Sequence, residues 1–517
     1  MSWKQLQNGS DIRGVALEGI PDETVNLTPE RVRILGKAFV TWLRQQGSPQ
    51  TSARLCVAVG RDSRLSGPSL MPALIDGITS TGSSVKDFNL ASTPAMFVST
   101  VNDDDACHGA IMMTASHLPF NRNGLKFFTP NGGLDKKDIA AILALAESNQ
   151  FTDSPDGPGS VTQQDFISIY ADGFVQMVRQ GVNHPEYFDQ PLKGLHIVVD
   201  AGNGAGGFYA SKVLEPLGAD TTGSQFLEPD GTFPNHIPNP EDEEAIASLR
   251  NAVLNHNADF GIIFDTDVDR AAAVDAQGNE LNRNRLIALI SAVVLKEHPG
   301  STIVTDSITS DGLTQFIEND LKGVHHRFKR GYKNVINESK RLNQEGQESW
   351  LAIETSGHGA MKENYFLDDG AYLITKLLVE LAKAKLEGRS LTDLIASLKE
   401  PAESAELRFK IGVSDFKTYG NYIIRALTQF AETQDGWSVV PKNYEGVRIA
   451  CGSSHENGWF LLRLSLHDPV IPVNIESNVS GGVARIADGL RHFLKDWNGL
   501  DLSPLQKLNV SGTGKTQ

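Results

Sequence analysis

Residues 57–63 read Val-Ala-Val-Gly-Arg-Asp-Ser, an apolar run that ends in polar residues, and a helix-like stretch follows from 68 to about 82. The same order recurs at Ile197-Val-Val-Asp-Ala-Gly-Asn203 and at Ile303-Val-Thr-Asp-Ser307. Apolar runs of this length are typical of buried strands, and their alternation with helices indicates βα units. Because the copies lie roughly a hundred residues or more apart, they predict three related α/β domains rather than a solenoid.

The chain changes character after Leu398, where a helix-like stretch at 416–433 precedes three short apolar runs. This order is typical of a smaller α+β domain, and a Pro- and Gly-rich linker at 149–163 closes the first domain. The predicted fold class is α/β: three related α/β domains with mixed sheets, plus a smaller α+β C-terminal domain. The predicted boundaries are 1–163, 164–283, 284–400 and 401–504, followed by a polar tail at 505–517.

The composition of the chain limits its possible partners. Its 517 residues are 40% hydrophobic and 21% charged, as expected of a folded protein with several cores. The net charge of −16 argues against a nucleic-acid partner, because phosphate backbones are bound by clustered lysines and arginines. A small anion such as a sugar phosphate can still be bound by a few local basic groups and a metal.

The three cysteines, Cys56, Cys107 and Cys451, are far apart in sequence and form neither a CxxC metal pair nor a disulfide framework. The polar N-terminus has no apolar signal-peptide core, and the longest apolar run, residues 286–295, is too short to span a bilayer. These features predict a soluble protein of the reducing cytoplasm without a membrane partner.

The segment Thr114-Ala-Ser-His-Leu-Pro119 follows an apolar run at 110–113, so Ser116 lies just past a predicted strand end. Loops at such ends carry the reacting groups of α/β proteins. Ser116 could be a nucleophile, with His117 and Lys126 as cations that hold a phosphate. The alternative is a capping serine before the turn that the following proline predicts.

Residues 264–270 read Phe-Asp-Thr-Asp-Val-Asp-Arg and follow a bulky apolar run. In an extended chain, residues i, i+2 and i+4 point the same way, so Asp265, Asp267 and Asp269 converge. Three such carboxylates repel one another unless a cation lies between them, and an all-oxygen site suits Mg²⁺ or Ca²⁺. An EF-hand is excluded because its required glycine and final glutamate are missing. A solvated acidic turn is the alternative, which the adjacent buried strand disfavours.

A third loop, Ile353-Glu-Thr-Ser-Gly-His358, also follows an apolar run. Glu354 and Ser356 could bind sugar hydroxyls, and His358 could orient a substrate or transfer a proton. For this loop alone, a structural histidine is an equally good interpretation.

Two segments look like nucleotide-binding motifs. Residues 202–207, Gly-Asn-Gly-Ala-Gly-Gly, fit GxGxxG after a predicted strand, with Glu228 near the spacing of a ribose-binding acid. An NAD-dependent dehydrogenase is therefore an alternative, although Glu228 lies in a turn-rich stretch rather than at a strand end. Residues 512–516, Gly-Thr-Gly-Lys-Thr, are no phosphate loop, because Asn509 occupies the position of its first glycine.

Together these loops resemble the motifs of the α-D-phosphohexomutase superfamily, which includes phosphoglucomutases and phosphomannomutases. The match is collinear over almost the whole chain. It consists of Asp11-Ile-Arg-Gly14, Val59-Gly-Arg-Asp-Ser-Arg64, Thr114-Ala-Ser-His117 with Asn123, Gly124 and Lys126, the acidic segment 265–270, Lys329-Arg-Gly-Tyr-Lys333 and Glu354-Thr-Ser-Gly-His358. The resemblance implies four domains around a central cleft, with one loop from each domain.

The resemblance also implies a function. The implied enzyme is a mutase that interconverts hexose 1-phosphates and hexose 6-phosphates through phosphoserine and a hexose 1,6-bisphosphate. Glucose phosphates are the preferred substrates that this implies, and mannose phosphates are possible ones. The implied ligands of Mg²⁺ are Ser116, Asp265, Asp267 and Asp269. The implied groups for acid–base chemistry and phosphate contact are Arg13, His117, Lys126 and His358. The implied substrate contacts are Glu354, Ser356, Lys333 and Arg270. Loops like 202–207 are structural in similar proteins.

Two departures from the family pattern stand out. The asparagine that usually follows Ser-His is Leu118. The fourth-domain phosphate loop, usually Arg-Pro-Ser-Gly-Thr-Glu-Pro, is here Arg463-Leu-Ser-Leu-His-Asp-Pro469. Arg463, Ser465 and His467 are its remaining candidates for substrate binding.

The altered phosphate loop is also compatible with a second enzyme activity. If the loop binds the intermediate more weakly, glucose 1,6-bisphosphate is released as the product. The enzyme is then a glucose-1,6-bisphosphate synthase, and another bisphosphorylated metabolite phosphorylates Ser116 again. A non-catalytic pseudoenzyme is a more remote alternative. The whole-chain match favours the mutase, because one altered motif weighs less than many matched ones.

Overall fold

The computed structural model of the chain describes residues 2–47, 55–102, 106–151, 157–465 and 468–510. The strands are β1 (Gln7–Asn8), β2 (Asp11–Val15), β3 (Cys56–Arg61), β4 (Ser84–Leu90), β5 (Gly109–Met113), β6 (Arg122–Thr129), β7 (Gly132–Gly133), β8 (Val161–Gln163), β9 (Ile197–Asp200), β10 (Phe260–Phe264), β11 (Ala271–Asp275), β12 (Glu280–Leu281), β13 (Thr302–Thr305), β14 (Val324–Arg327), β15 (Ser349–Ile353), β16 (Gly359–Met361), β17 (Leu367–Asp368), β18 (Glu403–Lys410), β19 (Trp437–Val439), β20 (Val447–Cys451), β21 (Gly458–Leu462) and β22 (Val470–Ser477).

The α-helices are α1 (Pro29–Gln45), α2 (Gly67–Thr79), α3 (Thr93–Val101), α4 (Lys136–Ser148), α5 (Phe166–Val182), α6 (Glu243–His256), α7 (Arg283–Glu297), α8 (Asp311–Gln315), α9 (Tyr332–Gln344), α10 (Gly370–Leu386), α11 (Phe416–Ala431), α12 (Gly482–Leu494) and α13 (Ser503–Val510). The three apolar runs that predict βα units are β3, β9 and β13. No helix in the described part of the chain is long and apolar enough to cross a membrane.

The chain divides into two compact units. The first comprises Met1–Val293 and Ser356–Leu394, and the second comprises Val294–Thr355 and Ile395–Gln517. The four-domain division remains a prediction from the sequence.

The largest sheet of the first unit has the strand order β1-β2-β6-β5-β3-β4-β8, with β7 paired to β6. Strands β4 and β5 run parallel to β3, whereas β6 is antiparallel to β5, so the sheet is mixed as predicted. Strand β5 is buried along its whole length, and the segment that contains Ser116 leaves its carboxyl end. Strand β8 pairs with β4. The last three residues of the predicted linker, 161–163, are therefore part of this sheet and do not form a free connection.

A second sheet of the first unit, ordered β12-β11-β10-β9, positions the acidic segment. Strands β9 and β10 are parallel, and β11 returns antiparallel to β10 with Ala271 opposite Phe264. Residues 265–270 therefore form the connection of a hairpin. The hairpin β16–β17 and helix α10 complete this unit.

In the second unit, β13 lies between β14 and β15 in a parallel arrangement. An antiparallel sheet ordered β18-β22-β21-β20-β19 shares one hydrophobic core with α11, α12 and α13. This is the α+β region that the sequence predicts. The predicted polar tail needs correction, because α13 includes residues 505–510 and Leu505 is buried in that core. The final residues, 511–517, lie outside the described part of the chain.

Candidate active site

The Ser116 loop has an unusual backbone. Ser116 adopts a left-handed conformation, with φ of 51°, which is uncommon for a residue other than glycine. Its N–H donates to Thr114 Oγ1 at 2.9 Å, and its hydroxyl Oγ lies 3.3 Å from Asp265 Oδ2. The predicted strand-end position of Ser116 is confirmed, and its hydroxyl faces the acidic segment.

Arg64 holds this loop in shape. The side chain is fully buried, and its guanidinium donates to the carbonyl oxygens of Ser116, Leu118, Pro119 and Arg122. The distances are 2.7 Å to Leu118 O and 2.9 Å to both Pro119 O and Arg122 O. A planar guanidinium offers five donors in a fixed fork, so one side chain can fix several carbonyls at once. The sequence pattern Gly-Arg-Asp-Ser-Arg marked Arg64 but gave it no role.

The three acidic side chains converge, but not by the route that the sequence suggested. Asp265, Asp267 and Asp269 are buried and offer oxygen atoms within 4.8 Å of one another. The chain here is not extended. It turns between β10 and β11, and Val268 within the turn has φ of 68°. The convergence therefore comes from a tight connection, whose conformation cannot be derived from an alternating strand pattern.

This carboxylate cluster fits a hard divalent cation. Burial, followed by the charge of Asp269, raises the pKa of Asp265 well above its usual range. Among the described residues, Asp267 Oδ1 and Asp269 Oδ1 are buried without a hydrogen-bond partner. The donors are all oxygens, and the Ser116 hydroxyl is adjacent. Such a donor set is typical of Mg²⁺ and Ca²⁺ sites.

Lys126 and Thr93 also contact the cluster. Lys126, on β6, places Nζ at 2.8 Å from Asp267 Oδ2 and 2.5 Å from Asp269 Oδ2. Burial lowers the pKa of Lys126, but these two carboxylates outweigh burial and raise it well above the usual value. Thr93, at the start of α3, donates its hydroxyl to Asp267 Oδ2 at 2.5 Å. Thr93 has no motif in the sequence, and only the fold reveals its position.

Arg270 links the acidic turn to the serine loop. Its Nε donates to Asp265 Oδ2 at 3.1 Å, and its Nη2 lies 3.3 Å from Ser116 Oγ and 2.7 Å from His117 Nδ1. Burial and the Arg270 charge lower the pKa of His117 to about 4, so its imidazole is neutral near pH 7. The neutral ring accepts from Arg270, which fixes the guanidinium beside the serine hydroxyl.

His358 reaches the same place from the loop before β16. Its Nδ1 lies 2.5 Å from Asp368 Oδ2, and Asp269, His358 and Asp368 form one close group. Burial lowers the pKa of His358, but Asp368 outweighs it and raises the pKa to about 9. Asp368 is a partner that the sequence motifs did not indicate.

Arg13 completes the cluster in the first unit. From β2, its Nη1 donates to Thr114 O at 3.1 Å, and its Nη2 donates to Asp11 at 2.9 Å. The first unit therefore brings together the sequence-predicted residues Arg13, Ser116, His117, Lys126, Asp265, Asp267, Asp269, Arg270 and His358.

Ser356 also lies in the first unit, where its hydroxyl is buried without a hydrogen-bond partner among the described residues. The remaining predicted contacts lie in the second unit. Glu354 accepts a hydrogen bond from Gly331 N at 2.5 Å, and Lys333 lies in the first turn of α9.

The altered loop follows β21. Arg463 is nearly buried, and its Nη1 lies 4.0 Å from Glu445 Oε1. Glu445 also accepts from Ser307 Oγ at 2.5 Å and from Arg330 N at 3.2 Å. Ser465 Oγ accepts from Asp468 N at 3.3 Å. His467 and its neighbour Leu466 lie outside the described residues.

The GxGxxG-like segment is structural, as the resemblance implied. Ala205 N donates to Thr266 O at 2.8 Å within the acidic turn. A Cβ on Gly204 would meet the backbone of Thr266 at 2.7 Å, and one on Gly207 would meet Leu227 O at 2.2 Å. These glycines allow backbone segments to approach each other, and no dinucleotide is needed to explain them.

Comparisons with known proteins agree with this geometry. The family model described as phosphoglucomutase/phosphomannomutase, alpha/beta/alpha domain I, matches residues 4–153. The models of domains II and III match residues 172–278 and 282–401.

Similar full-length proteins carry related names. A phosphoglucomutase of Neisseria gonorrhoeae is 30% identical over 487 residues, which cover 94% of this chain and 95% of that protein. A phosphomannomutase/phosphoglucomutase of Pseudomonas putida is 32% identical over 483 residues, 93% of each chain. The crystal structure of a phosphoglucomutase/phosphomannomutase family protein from Burkholderia thailandensis matches with a TM-score of 0.76 and 28% identity, over 96% of this chain and 98% of that one. The chain therefore belongs to the phosphoglucomutase/phosphomannomutase family of the α-D-phosphohexomutase superfamily.

Proposed function

We propose that this protein is a phosphohexomutase that interconverts hexose 1-phosphates and hexose 6-phosphates and carries the transferred phosphoryl group on Ser116. The observation that carries the proposal is the position of Ser116 Oγ, 3.3 Å from both Asp265 Oδ2 and Arg270 Nη2. The names of the relatives support the mutase, and none of those reported above is named a synthase or a dehydrogenase.

The loop geometry suits a serine that is repeatedly phosphorylated. A phosphoserine carries a charge of about −2 near neutral pH. Arg270 is already aimed at the serine oxygen and can donate to the phosphoryl oxygens without moving far. Arg64 keeps the loop backbone fixed, so the oxygen stays in place whether or not it carries phosphate.

We propose that Ser116, Asp265, Asp267 and Asp269 hold the metal of this metal-dependent family, and that it is Mg²⁺. When bound, the ion would neutralise charge that develops on the transferred phosphoryl group. The ammonium of Lys126 pairs with Asp267 and Asp269 and so adds a further positive charge to the same cluster.

In the proposed first half-reaction, the free hydroxyl of a hexose monophosphate attacks the phosphorus on Ser116. A bond from the sugar oxygen to phosphorus forms, the Ser116 Oγ–phosphorus bond breaks, and a hexose 1,6-bisphosphate results. The hydroxyl loses a proton and Ser116 Oγ gains one. We assign the donation to Ser116 Oγ to Lys126 and His358, whose raised pKa values keep both protonated near pH 7, and the group that has donated then takes up the proton of the sugar hydroxyl. His117 is not assigned this role, because it already accepts from Arg270. His358 is paired with Asp368, which orients its ring.

The second half-reaction returns the other phosphate to Ser116. For this the bisphosphate must turn over while it stays bound, and the sugar and distal phosphate need contacts of their own. We propose that these contacts come from Arg270, Glu354, Ser356, Lys333, Arg463, Ser465 and His467, and that Arg13 takes part in catalysis beside the Ser116 loop. Glucose phosphates are the proposed main substrates and mannose phosphates the second.

The composition of the chain also supports proposals about its partners and its cellular location. An acidic chain with a charge of −16 is proposed to have no nucleic-acid partner and no membrane partner. Its three dispersed cysteines favour the reducing cytoplasm as the place where it meets hexose phosphates.

The proposal is tested with a panel of glucose, mannose and glucosamine phosphates, assayed with Mg²⁺ and with or without added hexose 1,6-bisphosphate. We expect fast isomerisation of the glucose and mannose phosphates, stimulated by the bisphosphate. A protein that isomerises none of them contradicts the proposal. So does one that converts fructose 1,6-bisphosphate and glucose 1-phosphate into stoichiometric free glucose 1,6-bisphosphate with only slow isomerisation.

A further inference from the structure

Two of the three cysteines, dispersed in sequence, meet in the fold. Cys56 is the first residue of β3, and Cys107 lies two positions before the start of β5. They are 51 positions apart in the chain, yet their Sγ atoms are 3.6 Å apart. No disulfide joins them in this structure.

Sheet pairing holds both residues in this position. Strands β3 and β5 are parallel, with Val57 opposite Gly109. His108 N donates to Cys56 O at 2.9 Å, and Cys56 N donates to His108 Nδ1 at 3.1 Å. Cys107 N donates to Ser99 O in α3 at 2.9 Å. The thiols therefore face each other because of backbone register, and a disulfide needs its sulfurs to approach by only about 1.5 Å.

Cys56 and Cys107 differ in solvent exposure, and the third cysteine lies in the other unit. Cys56 is partly exposed, whereas Cys107 is buried behind it. Cys451 is buried in the second unit, and burial raises its pKa well above that of an ordinary thiol. A small oxidant can thus reach Cys56 first, with Cys107 already in place as the second thiol.

We propose that Cys56 and Cys107 form a modification site at which a peroxide produces a reversible disulfide. The Cys56 sulfur attacks one oxygen of hydrogen peroxide, the O–O bond breaks, and the other oxygen leaves with the thiol proton as water. The Cys107 sulfur then attacks the resulting sulfenic acid, the S–O bond breaks, and a second water leaves. Two thiols are oxidised and one peroxide is reduced to two waters. A dithiol reductant reverses the reaction.

The site lies away from the chemistry at Ser116. Cys56 begins β3, whereas the Ser116 loop leaves the opposite, carboxyl end of β5. Five residues of strand separate the two ends, which corresponds to about 16 Å. The disulfide would close a ring of chain that contains α2, β4 and α3. Such a ring restricts the unfolded chain, so the cross-link stabilises the domain without entering the active site.

The test uses the full-length protein, reduced and then freed of reductant. Graded hydrogen peroxide should lower the number of titratable thiols under denaturing conditions from the chain's three to one, with a mass lower by two hydrogens. Peptide mapping without reductant should recover a Cys56–Cys107 pair, and dithiothreitol should restore all thiols. The melting temperature should rise by roughly 4–10 °C on oxidation.

Three conservative variants control the test. Cys451→Ser should still form the cross-link and lose both remaining thiols. Cys56→Ser should keep both of its thiols, because the thiol that peroxide reaches first is gone. Cys107→Ser should lose the Cys56 thiol to a sulfenic or sulfinic acid without forming an internal disulfide. Neither variant should show a rise in melting temperature. The proposal is overturned if oxidation stops at a sulfinic acid on Cys56 with Cys107 unchanged, or if the only disulfide is a concentration-dependent one between two copies of the chain. Persistence of all three thiols at millimolar peroxide would also overturn it.

Discussion

The Ser116 loop and the loop after β21 are built in opposite ways. Four carbonyl oxygens of the Ser116 loop are held by the buried Arg64, and its hydroxyl faces three carboxylates and Arg270. The loop after β21 keeps an arginine, Arg463, whose Nη1 lies 4.0 Å from Glu445 Oε1, and Leu466 stands where the family pattern has glycine. In the proposed mechanism, the first unit therefore holds a preorganised site for phosphoryl transfer, whereas the loop proposed to bind substrate in the second unit departs from the family pattern.

The comparison teaches where variation can be tolerated. In the proposed mechanism, the charges around the transferred phosphoryl group stabilise the transition state, so a change at Ser116 or the acidic turn should strongly lower turnover. A sugar and its distal phosphate can be held by different residues at a modest cost in affinity. Changes in the first region should therefore lower turnover, and changes in the second should mainly raise KM.

The largest effect should come from Ser116→Ala. Without a hydroxyl there is no carrier for the phosphoryl group, and we expect turnover to fall by roughly 10⁴-fold or more. Ser148→Ala, at the end of α4, is the matched control and should be fully active. Coupled assays of glucose 1-phosphate isomerisation measure both. Normal turnover in Ser116→Ala would leave the first region without its chemical role.

Asp267→Asn should have the next largest effect. The substitution removes one charge from the cluster and weakens its hold on a divalent cation, so turnover should fall by roughly 10²–10³-fold while the fold is kept. Excess EDTA should abolish activity of the unaltered protein, and Mg²⁺ should restore it. Asp76→Asn, which changes an exposed ion pair with Arg33, is the control. Undiminished activity in EDTA would show that the cluster is structural.

Arg64 offers a finer test of the first region. Arg64→Met leaves buried carbonyls of the Ser116 loop without donors, so Ser116 should lose its position and kcat should fall about 10- to 100-fold. Arg64→Lys keeps a charge but not the fork, and should recover part of kcat with KM little changed. The control is Arg61→Met, because Arg61 donates to Asn89 and Asp62 instead. Equal losses of kcat in all three variants, without a change in melting temperature, would contradict the positioning role.

Arg64 also shows how far sequence reasoning could reach. The strands that precede the acidic turn and the Ser116 loop followed from runs of apolar residues, and the motifs identified the charged residues. The contacts of Arg64 and Thr93 could not be derived, because each joins segments that are distant in the chain. Asp368 is only ten positions from His358, but their contact depends on the pairing of β16 with β17, which the motifs did not indicate. The same holds for Cys56 and Cys107, which sheet register brings together.

At the acidic turn, the prediction was right about the side chains and wrong about the backbone. The convergence of Asp265, Asp267 and Asp269 was predicted, but from an extended chain that does not exist there. The sequence identified the right three carboxylates, whereas the backbone path between them depends on how β10 and β11 are paired. Likewise, the sequence predicts a βα unit after β9, but the structure has a π-helical turn at Tyr209–Leu214 where an α-helix was expected.

In the second region, Arg463→Ala should act mainly on KM. Loss of a phosphate hydrogen bond with a charged partner costs about 1.5–3 kcal/mol, so KM for hexose phosphate should rise about tenfold or more with a smaller change in kcat. Arg425→Ala, on α11, is the control. Initial-rate kinetics over a range of glucose 1-phosphate distinguish the two parameters. A fall in kcat alone would mean that the second region also takes part in transfer.

The smallest effect should follow from restoring the family residues at the altered loop. The double variant Leu466→Gly, His467→Thr should change kcat/KM by less than about threefold, because the loop has diverged without loss of the mutase reaction. The amount of free glucose 1,6-bisphosphate released per turnover is the second readout. A large drop in released bisphosphate would show that the natural loop holds the intermediate poorly.

The phosphorylation state of Ser116 itself is the most direct measurement. The protein is incubated with glucose 1,6-bisphosphate and Mg²⁺, and its intact mass and phosphopeptides are recorded before and after addition of excess glucose 1-phosphate. We expect a species one phosphate heavier, with the phosphate on Ser116, and we expect that phosphate to pass to sugar at a rate at least equal to turnover. Absence of phosphate from Ser116, or its transfer more slowly than turnover, would contradict the assignment of Ser116 as the carrier.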